Sequence, residues 1–513
     1  MKELINFKKY NLKTIILTIL LFACEFLVSI IMSVSILKAV LYKNYLYINS
    51  NKYIILSVVS AIILIAFIVY NFVIKERKIE KIFTAIVIPL GMLYLFSVVP
   101  YQVPDEDAHI KRAWDISKGN IISEISDNGD SDIIVPKFLI ENKIDKYKDL
   151  DKYLNENTDY TDGVETFTGA QAYMATMYLP SSIVFFIARK IGINLLIAVY
   201  LARIANFIIF IIFAYFSIKI IPFGKLVMFV YLLTPMFLEQ AASVSADSLT
   251  NTFLMFFIAY SLYLFKTDVK LSKKHICLYA LLCIFIGTAK YTYFPLIGIA
   301  LLLLKKKDVE PKEKWLLTII SIVGVTFIAI AVYLLSTKYV NTSQVLIDRN
   351  VNPKEQIKFV AENPIKYMGY FKDTIVKYIE YYTDTFLGKK LGMLNIEVKQ
   401  FAIWVLAILM IFAPFLEKNE VELNKWEKLL FIGIFAVITI LIFAGLYFTW
   451  STVGANIISG VQGRYFIPIV ILLLLSMVKN NKYLDVKNVY LKYSILLILI
   501  NISAVGSIVR FFI

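Results

Sequence analysis

The sequence predicts an all-α polytopic membrane protein, and three observations carry that prediction. Hydrophobic residues make up 59% of the 513-residue chain against 18% charged, with a mean hydropathy of +0.72, an imbalance that no soluble core requires. Apolar runs of about twenty residues recur from end to end, each long enough to cross a hydrocarbon layer roughly 30 Å thick as a helix. Lysines gather in the short connectors between those runs, which is the positive-inside bias and sets the orientation of every span. The net charge of +15 therefore records topology and argues against a nucleic-acid surface. Because backbone groups in lipid must pair internally, helices are the expected elements throughout.

In chain order, residues 1–81 hold two accessory N-terminal spans, 14–40 and 53–74. The first follows Lys8, Lys9 and Lys13 without a small-residue cleavage site, so it reads as a retained anchor with a cytoplasmic N-terminus. Glu25 lies inside it, where pairing with a neighbouring helix explains it as well as function does. The connector Lys75-Glu76-Arg77-Lys78-Ile79-Glu80-Lys81 is densely basic and belongs inside, so the third span, 82–100, runs outward. Residues 82–337 then form a transmembrane core that includes a polar external loop, 101–170. Cys24, Cys277 and Cys283 all fall in apolar segments, where a packed thiol is the ordinary state.

At the start of that loop stands Val103-Pro104-Asp105-Glu106-Asp107-Ala108-His109: three carboxylates and one of the chain's two histidines at the edge of a span. Pro104 and acids near a helix start suit the helix dipole, but capping leaves His109 and Arg112 unexplained, which favours a functional cluster. A helix is predicted from Pro104 to Lys118, with Ala108, Trp114 and Ile116 on its apolar side and Gly119-Asn120 as its stop. Helical spacing puts Asp105, Glu106 and His109 on neighbouring surface. Asp127 to Asp132 lacks the spacing and terminal glutamate of a calcium loop and reads as a solvated turn.

Parity decides the next stretch. If 171–188 lies along the outer surface as a juxtamembrane helix, the lysine bias holds without exception downstream, with spans at 194–221, 225–241, 246–266, 275–289, 291–305 and 315–337. A second external segment, 338–399, carries Lys366, Lys372 and Lys377 among Tyr367, Tyr370, Phe371, Tyr378 and Tyr381, the pattern of an amphipathic helix at the lipid interface. Residues 400–513 supply four more spans, 400–416, 427–449, 463–478 and 489–511. The count is about thirteen crossings with two external loop regions and the C-terminus outside.

With that topology the unusual polar residues collect on the external face: Asp105, Glu106 and His109, Arg203 in the outer half of its span, and Asp247 in Ser245-Ala246-Asp247-Ser248. Lys290 with Tyr293, and Gln462, Arg464 and Tyr465 in Gly460-Val461-Gln462-Gly463-Arg464-Tyr465, complete the set. Singly, Asp247 could cap a helix, Lys290 could snorkel and Gly463 could ease a turn. Together, carboxylates opposite Arg203, Lys290 and Arg464 suit transfer from an anionic donor held in the membrane. The cations would hold its phosphate and a carboxylate would take the proton of an attacking hydroxyl.

Pro104-Asp105-Glu106 with His109, Ser245-Ala246-Asp247-Ser248-Leu249-Thr250, Ala289-Lys290-Tyr291 and Gly460-Val461-Gln462-Gly463-Arg464-Tyr465-Phe466-Ile467-Pro468 together resemble the DUF2142 family of bacterial membrane proteins. That family is grouped with the GT-C glycosyltransferase superfamily. The similarity runs in order from about residue 80 to 511, and the Gly-Val-Gln-Gly-Arg-Tyr element is its most specific part. The resemblance implies a GT-C-like fold and a polyprenyl-phosphate sugar donor near the outer leaflet. It also implies Asp105 and Glu106 as paired acids, one of them the general base or a metal contact, and Arg203 as a loose match to a donor-phosphate arginine. Two departures stand out: Asp107 where the family commonly has Pro, and Met393 after Gly388 to Gly392 where a tryptophan is frequent. The third acid strengthens the case for a divalent metal, Mg or Mn, near Asp105 and Glu106.

The expected function is transfer of a sugar to a cell-envelope glycan, lipid or protein acceptor on the external face of a bacterial cell membrane, with Asp105 and Glu106 catalytic. His109, Arg203, Asp247, Lys290, Tyr293, Gln462, Arg464 and Tyr465 would bind substrate, beside membrane lipids and without nucleic acid. The alternative is a transporter or flippase of lipid-linked glycans, for which inverted repeats and midplane polar residues would be expected.

Overall fold

The computed structural model describes residues 12–45, 50–70, 78–122, 132–141, 144–155, 160–165, 169–306, 309–342, 350–419, 421–480 and 486–513. Most of the stretch 127–132 and the residues 75–77 of the basic connector lie outside these.

The described chain is overwhelmingly helical. Seven helices are long and apolar enough to cross a membrane: Ile19–Ala39, Ile79–Ser97, Leu195–Ile220, Ala246–Lys266, Pro311–Leu335, Lys425–Thr449 and Val489–Phe512. Ile55–Val69, Tyr291–Lys305, Gln400–Phe415 and Gly463–Met477 are apolar but shorter. Side chains at the starts fix several of these helices. Asn194 accepts hydrogen bonds from the amides of Leu196 and Ile197, and Asn424 with Glu427 forms a reciprocal capping box. Ile79–Ser97 and Ala246–Lys266 are buried along most of their length and form the centre, while Pro311–Leu335 leaves most of its apolar surface facing outward, as lipid-facing helices do.

Two expectations are corrected. Residues 225–241 do not form one continuous helix: they fold as two short helices, Lys225–Leu232 and Pro235–Ala241, because Pro235 cannot continue the first helix and starts the second at its first turn. Both are buried on all sides, which explains the unbroken apolar run better than contact with lipid does. Residues 291–305 are wound as a tighter 3₁₀ helix around Pro295.

Contacts between helix ends divide the bundle into two ends. At one end Lys266 pairs with Glu427 at 2.9 Å, Lys306 donates to the carbonyl of Thr267 at 2.8 Å, and the amide of Gly224 donates to Asn419 at 3.2 Å. These are the basic connectors. At the other end lie Asp247 and Lys290, joined at 2.6 Å, which begin the two segments that finish at Lys266 and Lys305. Leu179–Ile191 begins and ends on this second side. Tyr178, just before it, meets His109, and Arg189 near its end donates to the carbonyl of Ser117 at 2.8 Å. At 13 residues it is too short to cross, in keeping with a helix lying along the surface.

The external loop folds against this end. The helix Glu106–Ser117 closes at Gly119, whose φ of 106° only glycine adopts readily, as the sequence predicts. Ile133–Pro136 pairs antiparallel with Asp162–Glu165, and Arg112 clamps the loop through Asp115 at 2.7 Å and the carbonyls of Asn120 and Ile121.

Candidate functional site

The site is built where four chain segments meet, and it begins with an unusual turn. Between the end of Ile79–Ser97 and the start of Glu106–Ser117 two non-glycine residues, Tyr101 and Asp105, hold left-handed φ angles of 71° and 63°. Such conformations persist only where the surroundings enforce them. Here Glu106 does so: its Oε2 accepts from the amide of Tyr101 at 3.0 Å and its Oε1 from the amide of Val244 at 3.0 Å. Arg203 completes the arrangement through Nε to Oε1 at 2.8 Å and Nη2 to Oε2 at 2.5 Å, while its other N–H groups reach the carbonyls of Leu95, Val98 and Val99. Glu106 and Arg203 are both wholly buried.

This geometry corrects the expectation that Asp105 and Glu106 form a shared catalytic surface. The left-handed turn at Asp105 sends the two carboxylates in opposite directions, Glu106 into the bundle and Asp105 outward. Arg203, expected on a donor phosphate, is saturated by Glu106 and backbone carbonyls, so the pair is a buried clasp that holds the turn. Asp107, the third acid, goes a third way and pairs with Lys111 at 2.8 Å, which also reaches Glu165 at 3.1 Å. The donors therefore do not converge as a metal would need. Among the described residues no group of three or more His, Cys, Asp or Glu is placed to hold one.

Asp105, His109, Asp247, Lys290 and Arg464 do converge. Arg464 is buried at the centre: Nη2 pairs with Asp105, Nη1 lies 3.4 Å from Asp247 and 3.2 Å from the carbonyl of Pro104, and Nε donates to Gln462 at 2.6 Å. Lys290 binds the other oxygen of Asp247 and sits between the rings of Tyr173 and Tyr465, 5.4 and 4.7 Å from their centroids. Two carboxylates face two cations, and of the four only the Asp105 side chain is open to solvent, at 58%. Partial burial alone would raise the Asp105 pKa, but Arg464 prevails and holds it below the ordinary carboxylate value.

His109 shares a 2.7 Å hydrogen bond through Nδ1 with the Tyr178 hydroxyl, and its ring packs edge-on against Tyr173. Burial is the main cause that lowers its pKa to about 4, against the opposing pull of Asp105 and Asp247. It is neutral at pH 7. Since the unfolded value is near 6.5, a fall in pH from there towards 4 adds a proton to the unfolded chain that the folded chain lacks. That group's contribution, on the order of 3 kcal/mol when complete, is present above pH 6.5 and lost through this window. Thermal midpoints in detergent should fall over that range, and His109→Phe should flatten the fall.

Tyr293 and Gln462 act one step behind. The Tyr293 hydroxyl donates to the Tyr465 carbonyl at 2.9 Å, and Gln462 orients Arg464, so both position the cations. Gly463 has a sharper reason for its identity. A Cβ there would stand 1.9 Å from the Tyr382 carbonyl oxygen and 2.5 Å from the Phe386 amide nitrogen, backbone atoms of the helix Pro364–Leu387 that cannot yield. Its own amide donates to Thr385 at 2.8 Å. Gly463→Ala should therefore destabilise the protein by about 3 kcal/mol or more, read as a lowered unfolding midpoint, and displace Arg464 with it.

Sequence reasoning missed Tyr173 and Tyr178, which come from the surface stretch 171–188, and Glu239. Glu239 is buried behind the site and accepts from the amide of Gly392 at 2.8 Å, tying the Gly388 to Gly392 turn to the short helix Pro235–Ala241. No local pattern marks the two tyrosines, because each owes its place to long-range packing. Glu239 alone carried a signal, as an acid inside an apolar run.

No curated protein and no solved structure matches the chain. A family model described as "Predicted membrane protein (DUF2142)" matches residues 88–473, most of the sequence and every residue of the converging cluster. The protein is therefore a multi-helix membrane protein that belongs to the DUF2142 family.

Proposed function

We propose that the protein is an inverting, GT-C-type glycosyltransferase that moves a sugar from a polyprenyl-phosphate donor to a hydroxyl of a cell-envelope glycan, lipid or protein acceptor. In this reading about thirteen segments cross a bacterial cell membrane and the site faces outside. The observation that carries it is the Asp105–Arg464–Asp247–Lys290 cluster: one carboxylate open to solvent, beside two cations, at the end of the bundle opposite the basic connectors.

The mechanism follows from which partners can be exchanged. Arg464 holds Asp247, Gln462 and the Pro104 carbonyl inside the protein, so the one contact an incoming phosphate can replace is Asp105. The phosphodiester of the donor takes the Nη2 side of Arg464 and Lys290 lies nearby as a point charge. Released from Arg464, Asp105 loses the cation that depressed its pKa and becomes a better base. It accepts the acceptor hydroxyl's proton as the oxygen attacks the anomeric carbon. The C1–O bond breaks with its electron pair on the leaving polyprenyl phosphate, and the configuration inverts. No step is routed through a metal, because Glu106 and Asp107, the acids beside Asp105 in the chain, are paired with Arg203 and Lys111.

The helix Pro364–Leu387 fits the same picture. Ile365, Met368, Val376 and Ile379 are exposed alongside Lys366, Lys372 and Lys377, as for a helix at the lipid interface above the site. A transporter of lipid-linked glycans would move its cargo intact and needs no exposed base. The test is envelope glycan composition in cells carrying Asp105→Asn at normal protein level. Loss of one sugar with the lipid-linked precursor accumulating supports transfer, whereas unchanged composition removes the catalytic assignment.

A further inference from the structure

A second feature lies at the other end of the bundle. A cavity of about 220 Å³ opens between Ala246–Lys266, Lys273–Thr288, Tyr291–Lys305 and Pro311–Thr342, lined by Phe265, Leu271, Ile276, Cys283, Leu303 and Gly324 among others. Its wall is almost wholly apolar, and apolar cavities of this size stay dry and accept apolar guests. Ile276, Ile284 and Ile320 are lining residues with exposed side chains, so the cavity opens sideways where a membrane span meets lipid.

Charge marks one end of it. Leu271 and Ile276 flank Lys273 and Lys274, Leu303 is two residues from Lys305, and Leu317 three from Lys314. With Lys270 and Lys312, six lysines among the described residues stand in the connectors at this end against three described acids, Asp268, Glu310 and Glu313. At the same end Lys266 pairs with Glu427 and Lys306 donates to the Thr267 carbonyl, so neither is counted among them. A dry slot beneath a basic rim fits one kind of occupant, an anionic phospholipid with an acyl chain in the slot and its phosphate at the lysines.

We propose that this cavity is a binding site for an anionic phospholipid, distinct from the candidate active site and at the opposite end of the bundle. It does not rest on the transferase reading. Two of the segments that frame it, Ala246–Lys266 and Tyr291–Lys305, carry Asp247 and Lys290 at their far ends, so a seated lipid would brace the helices that present those two residues.

Native mass spectrometry of the purified full-length protein, titrated with phosphatidylglycerol or phosphatidylcholine of the same chains, tests it. Wild type should retain one phosphatidylglycerol at least ten-fold more tightly than phosphatidylcholine. Gly324 lines the cavity and an added Cβ there meets no atom within 4 Å, so Gly324→Leu should fill the slot and cut phosphatidylglycerol retention at least ten-fold. Ser321→Phe is the second filling variant should the first not fold. The triple change Lys270→Gln, Lys273→Gln, Lys274→Gln should lower phosphatidylglycerol retention to the phosphatidylcholine level. Equal retention of the two lipids by wild type, or undiminished retention in a folded filling variant, overturns the proposal.

Discussion

Glu106→Gln is expected to lower stability by about 3–5 kcal/mol. The reason is what the substitution leaves behind. Arg203 stays wholly buried with its guanidinium facing a neutral amide, and the amide cannot accept from Arg203 and from the Tyr101 and Val244 backbone on both of its ends. Arg203→Met should cost a similar amount by leaving the carboxylate alone, and the double change should recover part of the loss, since removing both members of a buried pair costs less than removing one. Unfolding midpoints in detergent for the two single variants and the double variant check this. A Glu106→Gln protein as stable as wild type but inactive would instead make Glu106 the base.

Asp105→Asn should behave in the opposite way: little change in stability, large loss of activity. The side chain is mostly exposed and caps nothing, so its removal leaves no buried group stranded except one edge of Arg464, which the donor phosphate would cover. Loss of a general base costs on the order of 10²–10⁴-fold in rate, so turnover measured with a polyprenyl-phosphate sugar should fall by that factor. Donor affinity should hold or rise, because asparagine no longer competes with the phosphate for Arg464. A fall in donor affinity without a fall in rate would give Asp105 a binding role only.

The convergence of Asp105, Asp247, Lys290 and Arg464 was legible because lysine-rich connectors fix which end of each span faces which side, and these four then share an end. The split between Asp105 and Glu106 was not. Neighbours at the start of a helix are expected to lie close on its surface, and nothing in the chain announces a left-handed φ at an aspartate. The broken segment 225–241 misled for a related reason: a continuous apolar run is equally the mark of a span in lipid and of a helix pair buried in protein, and Pro235 was the cue that separated them. The aromatic walls at Tyr173 and Tyr178 belong to a surface stretch whose partners are set by tertiary packing alone. Gly463 was visible as the centre of a motif, but its reason, a backbone-to-backbone approach to Tyr382 and Phe386, exists only in three dimensions.

In the proposed mechanism a lipid phosphate displaces Asp105 from Arg464 and so frees the base. Structure determination of the protein with a non-cleavable polyprenyl-phosphate sugar bound in a lipid nanodisc measures it directly. The expected result is the phosphate within hydrogen-bond distance of Arg464, the Asp105–Arg464 pair broken, and the Asp105 carboxylate turned toward the anomeric carbon. A phosphate held elsewhere in the bundle with the Asp105–Arg464 pair intact would contradict it.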